Sequence, residues 1–374
     1  MEKVERIQKI NRKSVDWILV IIVLILLLVG VFMVYSSSYP DGYYNFGSSL
    51  FFLKKQIYAG IAGIILMIIT SLIPYKLYRR FTKIILLVSV GLSLATIFLG
   101  VEGNGAQRWL EIGGMSLQPS EIVKLAAVLC LADFLDKRRD KLHKFKEGYI
   151  YTFLAILGFV GLIVIHKDLS TSIVLALVLI IMFYCAGARM LYMVLTGVSG
   201  IAGVGVLIGL YAYRIERIVV FLDPFKYIKG KGWQIVQSLY ALGTGGLFGL
   251  GLGKSRQKFF YLPEAYNDFI FSIIGEELGF LGCLFVIILF ILFAWRGIRI
   301  SINAQDFYGS LVAIGITSLV LVQFLVHIAV ATSSMPPTGR ALPFISAGGT
   351  SLLLLLASIG ILLNISKTSE VNRN

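Results

Sequence analysis

Charged side chains are scarce in this chain, at 14% of its 374 residues against 57% hydrophobic. A domain surrounded by water keeps about 25% charged residues, because its surface must be solvated. The shortage excludes an ordinary soluble fold and implies an outer face covered by lipid. Cysteine and histidine are scarcer still, with 3 of each. Cys130, Cys185 and Cys283 lie far apart, each in an apolar stretch, without Cys-x-x-Cys spacing. That pattern excludes a disulfide framework and a zinc site. His143, His166 and His327 are equally scattered, so no metal centre built on His or Cys is expected. No small-residue cleavage site follows the first apolar run, which is too long for the core of a removable signal peptide. Internal repeats and low-complexity linkers are also missing, so a single membrane domain over residues 1–374 is expected.

What the chain has instead is long charge-free runs. About 20 apolar residues are needed to cross the hydrocarbon core as a helix. Trp17 to Tyr39, Gln56 to Tyr75, Ile84 to Val101, Gly148 to His166 and Leu169 to Ala188 meet or approach that length. Met190 to Tyr213, Phe307 to Gly339 and Ala341 to Ser366 do so too. Glu121 to Leu135 and Phe269 to Phe293 are apolar with embedded charges. The expected fold is therefore all-α, a polytopic membrane protein of about ten transmembrane helices.

The net charge of +14 does not point to nucleic acid, because short cytoplasmic loops of membrane proteins collect Lys and Arg. Lys3, Arg6, Lys9, Arg12 and Lys13 precede the first span, and Lys76, Arg79, Arg80 and Lys83 follow the second. Lys137 to Lys146 follows the fourth, Arg189 the sixth, Arg296 and Arg299 the eighth. All fall on one side, which predicts cytoplasmic tails at 1–16 and 367–374. Outward loops are then expected near 40–55, 102–120, 166–168, 214–268 and 331–350. The fourth is by far the longest, and loops of that length are usually functional when ordered. Its aromatic residues, and an amphipathic stretch from Trp233 to Leu242 with Trp233, Val236 and Tyr240 on one face, predict a segment folded against the membrane. Six glycines between Gly243 and Gly253 predict tight turns or close backbone approach. This stretch imitates two nucleotide-binding motifs, but Phe248 stands where each requires glycine.

Three constellations carry chemistry. The first is Leu262-Pro263-Glu264-Ala265-Tyr266-Asn267-Asp268-Phe269-Ile270-Phe271, continuing to Glu276 and Glu277. Asp268 opens an apolar helix and could simply cap it. Glu276 and Glu277 fall inside the span, where carboxylates are costly and usually face a cavity or a partner. An acidic line descending from the outer mouth is expected. The second is Arg108 and Trp109, followed by Gln118-Pro119-Ser120-Glu121 and Lys124. Pro then Glu marks a helix start, and Glu121 with Lys124 makes an i,i+3 ion pair. Cations at the rim of a bundle also suit a phosphate whose lipid tail lies in the bilayer. The third is Met335 to Ser351, with Thr338, Gly339, Arg340, Ser346, Gly348 and Gly349. Irregular backbone at membrane depth survives only where protein or a water-filled cavity covers it. Asp168 with Thr171 reads as a helix cap.

Taken together, these motifs resemble the shape, elongation, division and sporulation family, that of FtsW, SpoVE and RodA, from about Ser14 to Ser366. Gln237-Ser238-Leu239-Tyr240-Ala241 and the run from Gly251 to Glu264 add to the likeness, the latter closest to the FtsW and SpoVE branch. The resemblance implies a ten-helix peptidoglycan glycosyltransferase that polymerises lipid II at the outer face of the bacterial cytoplasmic membrane. It also implies a class B penicillin-binding protein as partner, and Asp268 as the essential acid. Arg108, Trp109, Gln118, Ser120, Glu121, Lys124, Thr338, Gly339, Ser346, Gly348 and Gly349 would line the substrate site, with Arg256 and Lys258 on a second pyrophosphate. A divalent cation such as Mg or Mn could bridge the phosphates through Glu264 or Glu277. The chain departs from the family pattern at His166-Lys167 before Asp168, at Asn267, at Ala347, and at Arg340, where an apolar residue is usual. A lipid II flippase and a non-catalytic scaffold for division enzymes are the alternatives. A flippase needs the cavity but no base, and a scaffold needs neither.

Overall fold

The computed structural model describes residues 15–103, 106–112, 115–210 and 212–369. Helix α1 (Trp17–Phe46) and α2 (Phe51–Leu72) form the first hairpin, and short α3 (Tyr75–Arg80) leads into α4 (Thr82–Leu99). A small antiparallel sheet follows, β1 (Val101–Gly103), β2 (Ala106–Ile112) and β3 (Met115–Leu117), in that order. Then come α5 (Pro119–Lys137), α6 (Tyr151–Val164), α7 (Leu169–Cys185) and α8 (Met190–Gly209). Two shorter helices, α9 (Ala212–Leu222) and α10 (Trp233–Thr244), occupy the long loop before α11 (Ile270–Ile302), α12 (Phe307–Ala331) and α13 (Gly349–Thr368).

Eight helical stretches among the described residues are long and apolar enough to cross a bilayer: α1, α2, α4, Phe145–Val164, α8, α11, α12 and α13. The apolar but shorter α7 and the more polar α5 complete the expected ten. Some bounds differ from those expected. Helix α1 runs through Pro40 to Phe46, taking up part of the first expected loop. Helix α12 stops at Ala331 and α13 starts at Gly349, so the irregular segment between them matches the outward loop expected near 331–350, while the apolar runs to Gly339 and from Ala341 overshoot the helices. Within the 102–120 loop, hairpin pairing satisfies backbone groups that have no helix to join. Helix α10 confirms the amphipathic stretch but not its face. It buries Ile235, Val236, Gln237, Ser238 and Ala241, while Tyr240 is exposed.

The core gathers around α12, whose Val312, Ala313, Ile316 and Val320 are fully buried. Helix α8 buries only Tyr192 and Thr196, leaving its apolar sides for lipid. Polar bonds join the helices where hydrophobic contrast with lipid is absent. Thr70 Oγ1 donates to Ala357 O at 2.9 Å, linking α2 to α13. At the other end of the bundle from Asp268, Asp16 caps α1 and accepts a two-pronged bond from Arg296 of α11, with Nη2 at 2.6 Å and Nε at 2.9 Å.

The glycine run now has its reason. Gly279 interrupts α11 at φ 70°, ψ −166°, freeing groups of the helix ladder. The glycine loop supplies their partners. Phe280 N donates to Gly246 O at 2.9 Å, and Leu250 N and Gly251 N donate to Glu276 O and Glu277 O at 2.9 and 3.0 Å. A Cβ on Gly279 would sit 2.3 Å from Gly249 N, so the contact requires glycine.

Candidate active site

Asp268 is held by its own chain. Glu264, in the left-handed region at φ 52°, turns the segment so that Asn267 N and Asp268 N both donate to its carbonyl at 3.0 Å. Leu262, Ala265 and Phe269 anchor the turn in the core. The 331–350 segment is stitched onto it: Ser346 Oγ donates to Asn267 O at 2.6 Å, and Ala347 N donates to Tyr266 O at 3.1 Å. Ser346 Oγ also accepts from Leu342 N at 2.8 Å, so one hydroxyl fixes both strands of the wall. Asp268 therefore sits at the seam of two irregular segments instead of capping a helix.

Both segments face a cavity of about 890 Å³. Its lining brings together Trp109, Gln118, Glu121, Lys124, Glu264, Asp268, Thr338, Gly339, Ser346, Gly348 and Gly349 of the expected set. Lys124 is buried and bonded to Glu121 at 2.8 Å. Sequence reasoning missed Arg217 on α9 and Lys167, which with Arg340 add cations to the lining. Arg217 Nη1 donates to Pro337 O at 3.3 Å. The signal for Arg217 was its place on the strongly amphipathic stretch of α9, which went unnoticed.

The remaining expectations fall elsewhere. Glu276 and Glu277 form no acidic line beside Asp268; they turn toward the glycine loop that caps the kink. Glu277 accepts from Gly253 N at 3.0 Å, from Ser36 Oγ at 2.7 Å and from Lys258 Nζ at 2.8 Å. Glu276 accepts from Arg256 N at 2.9 Å and from Ser255 Oγ. Both carboxylates and Lys258 are buried outside the cavity lining, and exposed Arg256 also lies outside it. Lys258 is thus taken up by a buried cluster with Glu277, away from any pyrophosphate, while the Arg256 side chain is exposed outside the cavity. Glu277 has no place in that cavity for a bridging cation, whereas Glu264 faces it. Ser120 turns away into a small crevice with Thr96, Pro119, His166 and Asp168. The Arg108 side chain lies outside the described residues.

The electrostatics single out one group. Burial raises the Asp268 carboxyl to about 6, helped by the charge of Glu264 and opposed by Arg340 and Arg217. Burial, then Asp41, likewise pushes Glu264 above the usual carboxylate range. Asp268 Oδ1 is buried without a hydrogen-bond partner among the described residues. A carboxylate tuned toward neutrality, with one oxygen unspent at a cavity wall, is suited to accept a proton.

Fold and site together define a multi-pass helical membrane protein with a charged cavity beneath an irregular, loop-built wall. The chain belongs to the FtsW, RodA and SpoVE family of cell cycle proteins, whose profile matches residues 16–371. It is 43% identical to stage V sporulation protein E of Bacillus subtilis, over 96% of this chain and 99% of that one. It is 40% identical to the probable peptidoglycan glycosyltransferase FtsW of Trichlorobacter lovleyi, over 94% and 93% of the two chains. Among solved structures, a chain described under polymerization and crosslinking by a peptidoglycan synthase complex matches with TM-score 0.79 and 25% identity, covering 96% of this chain and 99% of that one. The rod shape determining protein RodA of Thermus thermophilus shares the fold, with TM-score 0.71 and 24% identity over 94% and 97% of the chains.

Proposed function

We propose that the chain is a peptidoglycan glycosyltransferase that polymerises lipid II at the outer face of the bacterial cytoplasmic membrane. The observation that carries this reading is Asp268, a carboxylate with a raised pKa and an oxygen unpartnered among the described residues, in a cavity lined with cations. In the reaction, the acceptor sugar's 4-hydroxyl attacks the anomeric carbon of the donor. A C–O bond forms to the acceptor as the bond to the polyprenyl pyrophosphate breaks. Asp268 takes the hydroxyl proton, and the leaving pyrophosphate gathers negative charge. Preplaced cations stabilise that charge. Lys124, with Arg108 from the sequence motifs, keeps this role, and Arg217 of the cavity lining joins them. A divalent cation, were one bound, would be held by Glu264 at the cavity wall and would supply further positive charge to the leaving group; the proton transfer at Asp268 does not depend on it. The partner is a class B penicillin-binding protein, a crosslinking enzyme of the same wall.

The test is strand synthesis from labelled lipid II by the purified chain with its transpeptidase. Glycan strands are expected. Absence of strands, with lipid II crossing vesicles that contain the protein, would replace the reading with that of a flippase.

Two further outcomes follow from the geometry. The basic form of Asp268 is lost as pH falls through about 6, so kcat/KM should drop about tenfold per pH unit below that value. A pH–rate profile checks this, and an acid limb near the ordinary carboxylate range would contradict it. Gly339 sits at φ +65°, where an added Cβ would lie 3.2 Å from Asp268 Oδ2. Gly339→Ala should therefore displace the base and cut the rate by about 10²-fold. Normal detergent-stable folding with reduced turnover is the expected pair of results.

A further inference from the structure

Two rows of aromatic rings run from the end of α1 to the segment that leads into Asp268. In the first, Phe46 stacks on Phe51 with ring centres 3.9 Å apart, Phe51 meets Phe52 edge-on at 5.2 Å, and Phe52 meets Tyr266 at 4.4 Å. In the second, Tyr44 meets Phe260 at 5.3 Å. Tyr44 is 71% exposed, Phe260 54% and Phe46 51%. Phe260 holds its ring outward from the left-handed region, at φ 65°, a conformation that a bulky residue adopts only under constraint. An exposed apolar patch of this kind marks an interaction site.

The rings continue the wall of the cavity. Tyr266 follows Glu264 and precedes Asn267, both of which line it. Gln56, one turn on from Phe52 in α2, donates to Ser346 O and accepts from Gly348 N, each at 3.4 Å, and these two residues line the cavity as well. The surface is not a lipid face. Helix α8 shows what such a face is, apolar and without a charge. Here Asp41, Asn45, Lys54 and Lys55 are interleaved with the rings, and Lys55 Nζ lies 4.4 Å from the centre of the Phe51 ring. A sugar presents C–H groups on its faces and hydroxyls at its edges. The first match the negative faces of aromatic rings, and the second match polar side chains beside them.

We propose that these rings form an exit platform, a binding site for the growing glycan strand as it leaves the cavity. This rests on the glycosyltransferase reading above. The strand is the sugar polymer that the reaction makes beside Tyr266, so the platform meets it where it emerges. Successive sugars stack on successive rings, and a product held in this way stays with the enzyme for the next addition.

The experiment uses the full chain in detergent, with two readouts. One is the binding of lipid-free glycan oligomers, and the other is the length of strands made from labelled lipid II with the transpeptidase. The variants are Phe260→Gly, the double variant of Phe260→Gly with Phe46→Ala, and Phe46→Trp. Glycine suits φ 65°, so Phe260→Gly removes a ring without straining the backbone. It should weaken oligomer binding by about threefold, and the double variant by about tenfold. Strands from the double variant should be markedly shorter, with formation of the first bond reduced less than strand length. Phe46→Trp keeps an aromatic face and should bind like wild type. Equal binding by wild type and Phe260→Gly, with strands of equal length, would overturn the proposal and leave the rings as an aromatic belt of the membrane surface. Loss of association with the transpeptidase while oligomer binding stays intact would also overturn it, in favour of a protein-docking face. Failure of the glycosyltransferase reading looks different: wild type itself would make no strands, and the platform would fall with it.

Discussion

Asp268→Asn is expected to lower strand synthesis by about 10²–10⁴-fold, the usual contribution of a general base, while the protein stays folded. The substitution keeps the shape of the side chain and removes only its ability to take a proton. No bond of the fold is lost, because Oδ1 has no partner among the described residues and the backbone N–H of residue 268 still donates to Glu264 O. Stability should not suffer either. The carboxyl is raised in the fold from 3.8 to about 6, so its ionisation at neutral pH disfavours the folded state. That group contributes stability below its unfolded pKa and loses it as pH rises through about 6. Replacing it with a neutral amide removes the cost at neutral pH, so the variant should melt no earlier than wild type. Labelled lipid II assays and thermal unfolding, run on one preparation, decide the matter. Retention of the rate within about tenfold would remove Asp268 from the chemistry. Early melting would make it a structural residue.

The contrast between Asp268 and Glu277 shows how much of the site was legible in the sequence. The spans could be read because lipid excludes charge, and a charge-free run of that length has few other places to fold. The place of Asp268 at the mouth of a span could be read because an apolar run follows it directly, whereas the left-handed turn at Glu264 that seats it could not. Glu277 was misread because the same cost, that of a carboxylate in a span without a cavity or a partner, can be met in two ways. The chain chose the partner: Lys258, 19 positions earlier, and the backbone of a glycine loop. Which solution applies depends on how that loop folds onto the kink at Gly279, and a kink set by a single φ leaves little trace in residue type. The Asp168–Arg340 ion pair, at 2.5 Å, was hidden for a related reason. Each residue has an adequate local role, and only the fold brings them within bonding distance. The small sheet at 101–117 was missed because its two outer strands have only three residues each, too few for alternation to show, and the central one has no longer strand beside it to mark a pair.

The Lys258–Glu277 pair gives the other large effect expected. Both side chains are fully buried, and their 2.8 Å contact lies among bonds from Ser36 Oγ and the N–H groups of Gly253 and Ser255. Lys258→Met removes the cation and leaves Glu277 charged in a place water does not reach. Removing one partner of a buried pair costs about 3–5 kcal/mol, mostly from the charge left behind. The glycine loop should then lose its hold on the α11 kink, and the protein should melt markedly earlier. Adding Glu277→Gln to Lys258→Met keeps an acceptor for Ser36 and the loop N–H groups without the orphaned charge. The double variant should regain much of the lost stability, and its strand synthesis should follow the folded fraction. This recovery separates the two roles that sequence alone could not separate. If Lys258→Met instead melts like wild type and still loses activity, Lys258 acts on substrate, and the pyrophosphate contact read from the sequence is restored. If stability and activity fall together and return together, the pair serves the fold, and the cations that meet the leaving group are those that line the cavity.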